Sequence, residues 1–170
     1  MKTSFPPIQL SPIGVIHSQY KQATGTPIQP CRAYDSHGYV ALHEEFQAGL
    51  ADLAGFDRVW LIYHFHRASA AKMSVIPYRD TVERGLFATR VPARPNRIGM
   101  SCVRLLAVED NILRIAGVDI LDGTPLLDIK PYVPSYDNYP VGRCGWLDTV
   151  PDKPVEADAR FECKEVFIPA

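Results

Sequence analysis

Three stretches of the chain combine side chains that do chemistry with residues that restrict the backbone. The first is Phe87-Ala-Thr-Arg90, continued by Arg94-Pro-Asn-Arg97-Ile-Gly99. Proline and glycine shape the main chain there while three arginines are presented along it. A guanidinium is a planar fork of donors that matches carboxylates and phosphates. The stretch reads as an anion-binding loop or as a basic surface loop. The second is Leu121-Asp-Gly-Thr-Pro125. Its glycine permits a tight turn that a ligand can approach closely, and the Asp122 and Thr124 oxygens accept or donate there. An ordinary turn and a ligand-facing turn both fit. The third is His64-Phe-His66. Residues two apart on a strand share a face, so the two imidazoles could pair on a metal, but no third ligand is evident and no metal is expected. A ligand or acid–base role and a structural role remain for them.

Several chemistries are excluded by what is missing. The chain carries no phosphate-binding GxxxxGK[ST] loop, no GxGxxG after a strand, no GxSxG and no HExxH. An adenosine cofactor would therefore not rest on a strand–turn–helix of the dinucleotide-binding kind.

The elements that must carry these residues are mostly strands. Asp57 to His66 alternates Val59, Leu61, Tyr63 and Phe65 on one face with Trp60, Ile62, His64 and His66 on the other. Both faces are largely apolar, which predicts a strand covered twice, by a barrel interior on one side and by a helix or second subunit on the other. Leu10 to Ser18 reads as a first strand, with Ile13 and Val15 facing one way. Gly38 to His43 reads as a short strand, and Lys21 to Tyr34 as a long polar loop. Ile98 to Val108 and Ile112 to Asp119 form a hairpin through Glu109-Asp110-Asn111. Phe46, Leu50 and Leu53 predict a short amphipathic helix over His43 to Leu53, ending near Gly55. Pro131 to Pro154 is irregular, and Phe161 to Ile168 is a candidate last strand. The expected fold is mainly β: a small closed or partly closed barrel with one or two short helices, a single domain over residues 1–170 with no separate C-terminal domain.

Composition agrees. The chain has 170 residues, 15 prolines and a net charge of −1. The charge is segregated: six arginines lie between Arg79 and Arg104 against Asp80 and Glu83, while from Leu105 onward twelve acids face six bases. A basic face opposite an acidic one would follow. Cys31, Cys102, Cys144 and Cys163 form no CxxC pair, and no apolar run approaches the ~20 residues of a membrane helix. The expected location is the cytoplasm.

Five segments together resemble the TsaA-like, or TrmO-like, proteins: Ile13-Gly-Val-Ile-His-Ser18, Gly25-Thr-Pro-Ile-Gln-Pro30, Gly55 through His66, Gly85 through Gly99, and Gly117 through Tyr132. The resemblance implies a β-barrel that binds S-adenosylmethionine, as a homodimer, and methylates N6-threonylcarbamoyladenosine beside the tRNA anticodon. It places cofactor contacts at Pro27, Ile28 and Gln29, at His66 and Arg67, at Arg90 and Met100, and at Leu121, Asp122, Gly123 and Thr124. His66 is a candidate base for the acceptor nitrogen; no catalytic residue is fixed. Arg79, Arg84, Arg94 and Arg97 are candidates for facing RNA phosphates, with Tyr132, Tyr136 and Tyr139 as stacking surfaces or as packing. The rival readings are an S-adenosylmethionine-binding regulator or scaffold without methyl transfer, a methyltransferase with another acceptor, and an RNA-binding barrel with a vestigial pocket.

Overall fold

The computed structural model describes residues 5–153 and 155–163. Strand-forming segments dominate: β1 (Gly14–Ser18), β2 (His37–Leu42), β3 (Arg58–His64), β4 (Ser74–Val75), β5 (Arg84–Gly85), β6 (Ile98–Glu109), β7 (Ile112–Ala116) and β8 (Thr124–Pro131). Six of them close a barrel in the order β1-β2-β7-β6-β3-β8, with β8 pairing back to β1. Every pair is antiparallel. Register shifts between Ile62 and Tyr63 and between Leu105 and Ala107 supply the local bends.

The period of two sets the interior. Ile16, Val40, Val59, Leu61, Val103, Leu113, Ile115 and Leu126 are buried inside the barrel, each side chain contributing about 1.5–3 kcal/mol of transfer free energy. A second, smaller core lies beside it. Val75, Leu86, Val91, Ala93 and Phe161 pack together with Tyr78 against them. This satellite core takes in Val91 and Ala93 of the arginine-rich segment, whose end at Ile98 and Gly99 joins the barrel in β6.

Three expectations are corrected. The first strand begins at Gly14 rather than Leu10 and buries Gly14 and Ile16, while Ile13 just before it packs against the core. The segment after β2 forms a 3-10 helix over Glu44–Leu50 and a second 3-10 turn over Leu53–Gly55 rather than one α-helix. The three-residue spacing of the buried Leu50 and Leu53 suits that tighter winding, and Asp52 breaks the run by adopting φ 64. Toward the end of the chain Ala159–Phe161 is a 3-10 turn; residues 164–168 of the candidate last strand lie outside the described residues. The only α-helix among the described residues is the four-residue Pro134–Asp137.

Candidate functional site

β3 finishes at the same end of the barrel where β6 and β8 begin. There the chain leaves the sheet and builds a cleft of about 740 Å³. Its walls come from the first loop, the turn after β3, the arginine segment, the start of β6, the stretch between β7 and β8, and the later Trp146 and Phe161 regions. Trp146 is held by its indole N–H, which donates to the Ala88 carbonyl at 2.8 Å.

The turn after β3 separates the two histidines. The strand stops at His64, and the His66 amide donates to the His64 carbonyl at 2.8 Å. His66 consequently lines the cleft, and His64 does not. The Thr124 hydroxyl donates to the Leu121 carbonyl at 2.7 Å, so it accepts from His66 Nδ1 at 3.3 Å. That pairing assigns the ring's proton to Nδ1 and leaves Nε2 as the acceptor. Burial, the Arg67 charge and the His64 charge push the His66 pKa down against Asp122, so the ring is neutral at pH 7.

Arg90 donates to Gln29 Oε1 at 3.1 Å across the cleft, and the Gln29 amide donates to the Ile28 carbonyl at 2.6 Å. Arg67 is more constrained. It pairs with Glu162, donates to the Lys21 carbonyl, and its own carbonyl accepts from the Cys163 amide. The cleft thus gathers Pro27, Ile28, Gln29, His66, Arg67, Arg90, Met100, Leu121 and Thr124. Asp122 and Gly123 do not line it. The Asp122 carboxylate turns to Lys21 Nζ at 2.6 Å, the Ser18 amide at 3.1 Å and His17 Nδ1 at 3.2 Å, while Gly123 supplies the turn with φ 76.

The four candidate phosphate contacts divide. Arg79 and Arg94 line the cleft, whereas Arg84 and Arg97 do not. Arg79 also pairs with Asp152 at 3.1 Å and Arg94 lies over the Phe87 ring. Arg84 is bound to Asp80 at 2.7 Å and covers the Trp146 ring. Tyr136 and Tyr139 are exposed, and Tyr132 tilts against Trp60. Among the described residues no group of three or more His, Cys, Asp or Glu could hold a metal ion, and no helix is long and apolar enough to cross a membrane.

One feature of the cleft is absent from the sequence reading. Asp119 lines it and accepts from the Ser101 hydroxyl at 2.7 Å; Ser101 in turn accepts from the Tyr63 hydroxyl at 3.0 Å. Ser101 and Tyr63 are buried in the barrel. Burial lifts the Asp119 carboxyl to about 7, against the Ser101 hydrogen bond and the Arg90 charge. Gly99 makes the arrangement possible: it pairs with Tyr63 across β3 and β6, and a Cβ there would lie 2.3 Å from the Tyr63 ring. The signal available beforehand was an acid between two apolar neighbours, Val118 and Ile120.

The family model of the tRNA-methyltransferase O N-terminal domain matches residues 15–138. The chain belongs to this family. As a TrmO-family barrel it is 52% identical over 152 residues to a Pyrococcus abyssi protein named "Probable S-adenosyl-L-methionine-binding protein", covering 88% of this chain and 83% of that one. It is 37% identical over 134 residues to the Mus musculus protein named tRNA (adenine(37)-N6)-methyltransferase, covering 75% of this chain but 31% of that one. The crystal structure of TrmO from Pseudomonas aeruginosa superposes with a TM-score of 0.71 at 39% identity, covering 83% of this chain and 63% of that chain. This TrmO-family chain therefore spans under a third of the mouse relative and under two thirds of the Pseudomonas chain.

Proposed function

We propose that the chain binds S-adenosylmethionine in the barrel-end cleft and transfers its methyl group to tRNA, at N6 of threonylcarbamoyladenosine beside the anticodon. The observation that carries this reading is the convergence on one cleft of segments far apart in the chain: 27–29, 66–67, 90, 100, 121 and 124. The residues suit the cofactor. The volume lies within the ~300–1,000 Å³ of small-ligand sites. Arg90 supplies a guanidinium for an amino-acid carboxylate, and the Gln29 and Ile28 backbone and amide groups beside it can meet polar edges. Ile120, Leu121 and Phe87 offer apolar walls.

When bound, the cofactor supplies a methyl group already activated by a positive sulfur. The protein's share is orientation and exclusion of water. Neutral His66 sits as an acceptor beside Thr124, with Arg67 fixed behind it by Glu162. Arg79 and Arg94 stand at the cleft with the charge that a phosphate backbone requires. A homodimer acting in the cytoplasm completes the proposal.

The test is incubation with labelled S-adenosylmethionine and total tRNA, followed by nucleoside mass spectrometry. Label in a methylated threonylcarbamoyladenosine is the expected result. Cofactor binding without transfer would make the protein a cofactor-binding regulator, and label on another nucleoside would change the acceptor. In parallel, S-adenosylmethionine at 100 times its Kd should stabilise the fold by about 2.7 kcal/mol; no melting shift at millimolar cofactor would remove the cofactor assignment.

A further inference from the structure

The cofactor contacts leave one acid of the cleft without a task. Asp119 belongs to the stretch between β7 and β8 and keeps part of its surface open to the cleft. Its Oδ1 is fixed by Ser101 from β6, itself fixed by Tyr63 from β3. Both supports are barrel residues with almost no freedom, Ser101 being 1% and Tyr63 4% exposed. Apart from its own backbone amide, Ser101 is the carboxylate's one hydrogen-bond donor among the described residues. We propose that Asp119 is the proton acceptor of the transfer step, taking the hydrogen of the acceptor N–H through Oδ2. The inference rests on the methyltransferase reading above.

The step balances. The N–H bond breaks and its proton forms an O–H bond on Asp119. The nitrogen's freed pair forms the new bond to the methyl carbon, and the pair of the broken carbon–sulfur bond stays on sulfur. A carboxylate and a positive sulfur become a carboxylic acid and a neutral thioether, so the partly dry cleft ends with less charge than it began. Asp119 returns its proton to solvent when the product leaves.

His66 is the weaker candidate for this work. Burial and the Arg67 charge depress its basicity, and only its Nε2 is left to accept a proton. Asp119 is shifted the opposite way, to about 7, where a carboxylate is a stronger base than usual and about half of it is ionised at neutral pH. The charge that acts on it is Arg90 from the arginine segment, and its own charge in turn raises the Tyr63 phenol. The rest of the cleft lining adds His66, Arg67 paired with Glu162, Tyr78, Arg79 and Arg94.

The experiment compares wild type, Asp119→Asn and Ser101→Ala in methyl transfer to total tRNA from pH 5.5 to 9, as scan limits on the order of two units about the acid's value. Calorimetric titration of S-adenosylmethionine and a carbon-13 NMR titration of the aspartate carboxyls run alongside. Wild-type rate should rise with pH through about 7 and then level. Asp119→Asn should lose roughly 100-fold or more in rate and the pH limb with it, with cofactor affinity unchanged. Ser101→Ala removes a bond that favours the ionised form, so its limb should move to higher pH, which a merely structural role would not do. An active Asp119→Asn overturns the inference and leaves the methyltransferase reading standing. A loss of cofactor affinity matching the loss of rate overturns it too, making Asp119 a cofactor contact. An Asp119 carboxyl titrating at the ordinary aspartate value also overturns it. A wild type that binds cofactor and methylates no tRNA overturns the methyltransferase reading, and the role with it.

Discussion

Asp119 and Asp122 lie in one short stretch and titrate in opposite directions. Burial raises Asp119 to about 7. Burial also pulls on Asp122, but hydrogen bonds from Lys21, the Ser18 amide and His17 outweigh it and hold that carboxyl below the usual range. The linkage signs differ accordingly. Asp119 is ionised in the unfolded chain and protonated in the folded one between the ordinary aspartate value and about 7, so stability falls as pH rises through that window. Asp119→Asn should therefore gain melting temperature over wild type at pH 8 relative to pH 4, read by calorimetry at the two pH values. Asp122 stabilises above its unfolded pKa, and the contribution is lost as pH falls through its lower folded value. Asp122→Ala should cost about 1–3 kcal/mol at neutral pH and less in strong acid, by denaturant titration. It should also weaken S-adenosylmethionine, because Asp122 ties the turn carrying Leu121 and Thr124 to the Ser18–Lys21 segment. Asp122 was legible because Asp-Gly marks a turn by its own chemistry. Asp119 was not, because an acid between Val118 and Ile120 reads as an outward strand position until the distant Ser101 and Tyr63 are brought to it by barrel closure.

At the scale of elements, β3 and β6 decide whether the cleft floor forms. Their register sets Gly99 opposite Tyr63 and Ser101 opposite Leu61. Gly99→Ala would place a methyl 2.3 Å from the Tyr63 ring and 2.8 Å from Phe65. Overpacking of this kind should cost about 1–3 kcal/mol, measured by urea denaturation, and the displaced Tyr63 should release Ser101 and raise the Asp119 carboxyl further. Strand alternation made β3 readable, and Asp110-Asn111 made the β6–β7 hairpin readable, with Asp110 at φ 53 in the turn. The segment after β2 was not: spacings of four and three fit α-helix and 3-10 helix alike over so few residues, and packing of Leu50 and Leu53 against the barrel makes the choice. The satellite core around Leu86 and Phe161 was hidden as well, since Phe161 joins the mid-chain residues Val75 to Ala93 from far along the sequence.

At the scale of the whole molecule, the barrel's outer face beside the cleft carries several exposed apolar residues, with Arg58 and Arg104 opposed on the same face. Trp60 and Ile62 of β3 stand with Ile98, Met100 and Leu106 of β6, the last three 40%, 51% and 45% exposed. A second copy placed there would cover the second face of the central strand, and C2 pairing is the commonest arrangement. Leu106→Glu should shift a dimer toward monomer in light scattering; a wild type of monomer mass at every concentration would rule the pairing out. The arginines offer a second whole-molecule test. Arg94 lines the cleft and Arg97 does not, so Arg94→Ala and Arg97→Ala should separate in tRNA binding. Each lost single-strand phosphate contact should lower the log–log salt slope by about 0.7. An unchanged slope for Arg97→Ala would remove it from the RNA surface.

The last described stretch of the chain stitches together two loops that precede it by most of the sequence. The Gly25 and Ile28 amides donate to the Ala157 and Val155 carbonyls, and the Ser69 and Cys163 amides complete a similar tie between the turn after β3 and residues 161–163. Pro27 pairs with Glu156 and Ala68 with Glu162. Closing loops this long carries a large entropic cost, and the barrel needs none of these bonds to close. During synthesis the six strands are complete before residues 155–163 exist as chain. The binding rim is therefore the part of the fold that the barrel alone does not secure, and a ligand that fills the cleft and binds only the closed rim would hold these ties shut by mass action.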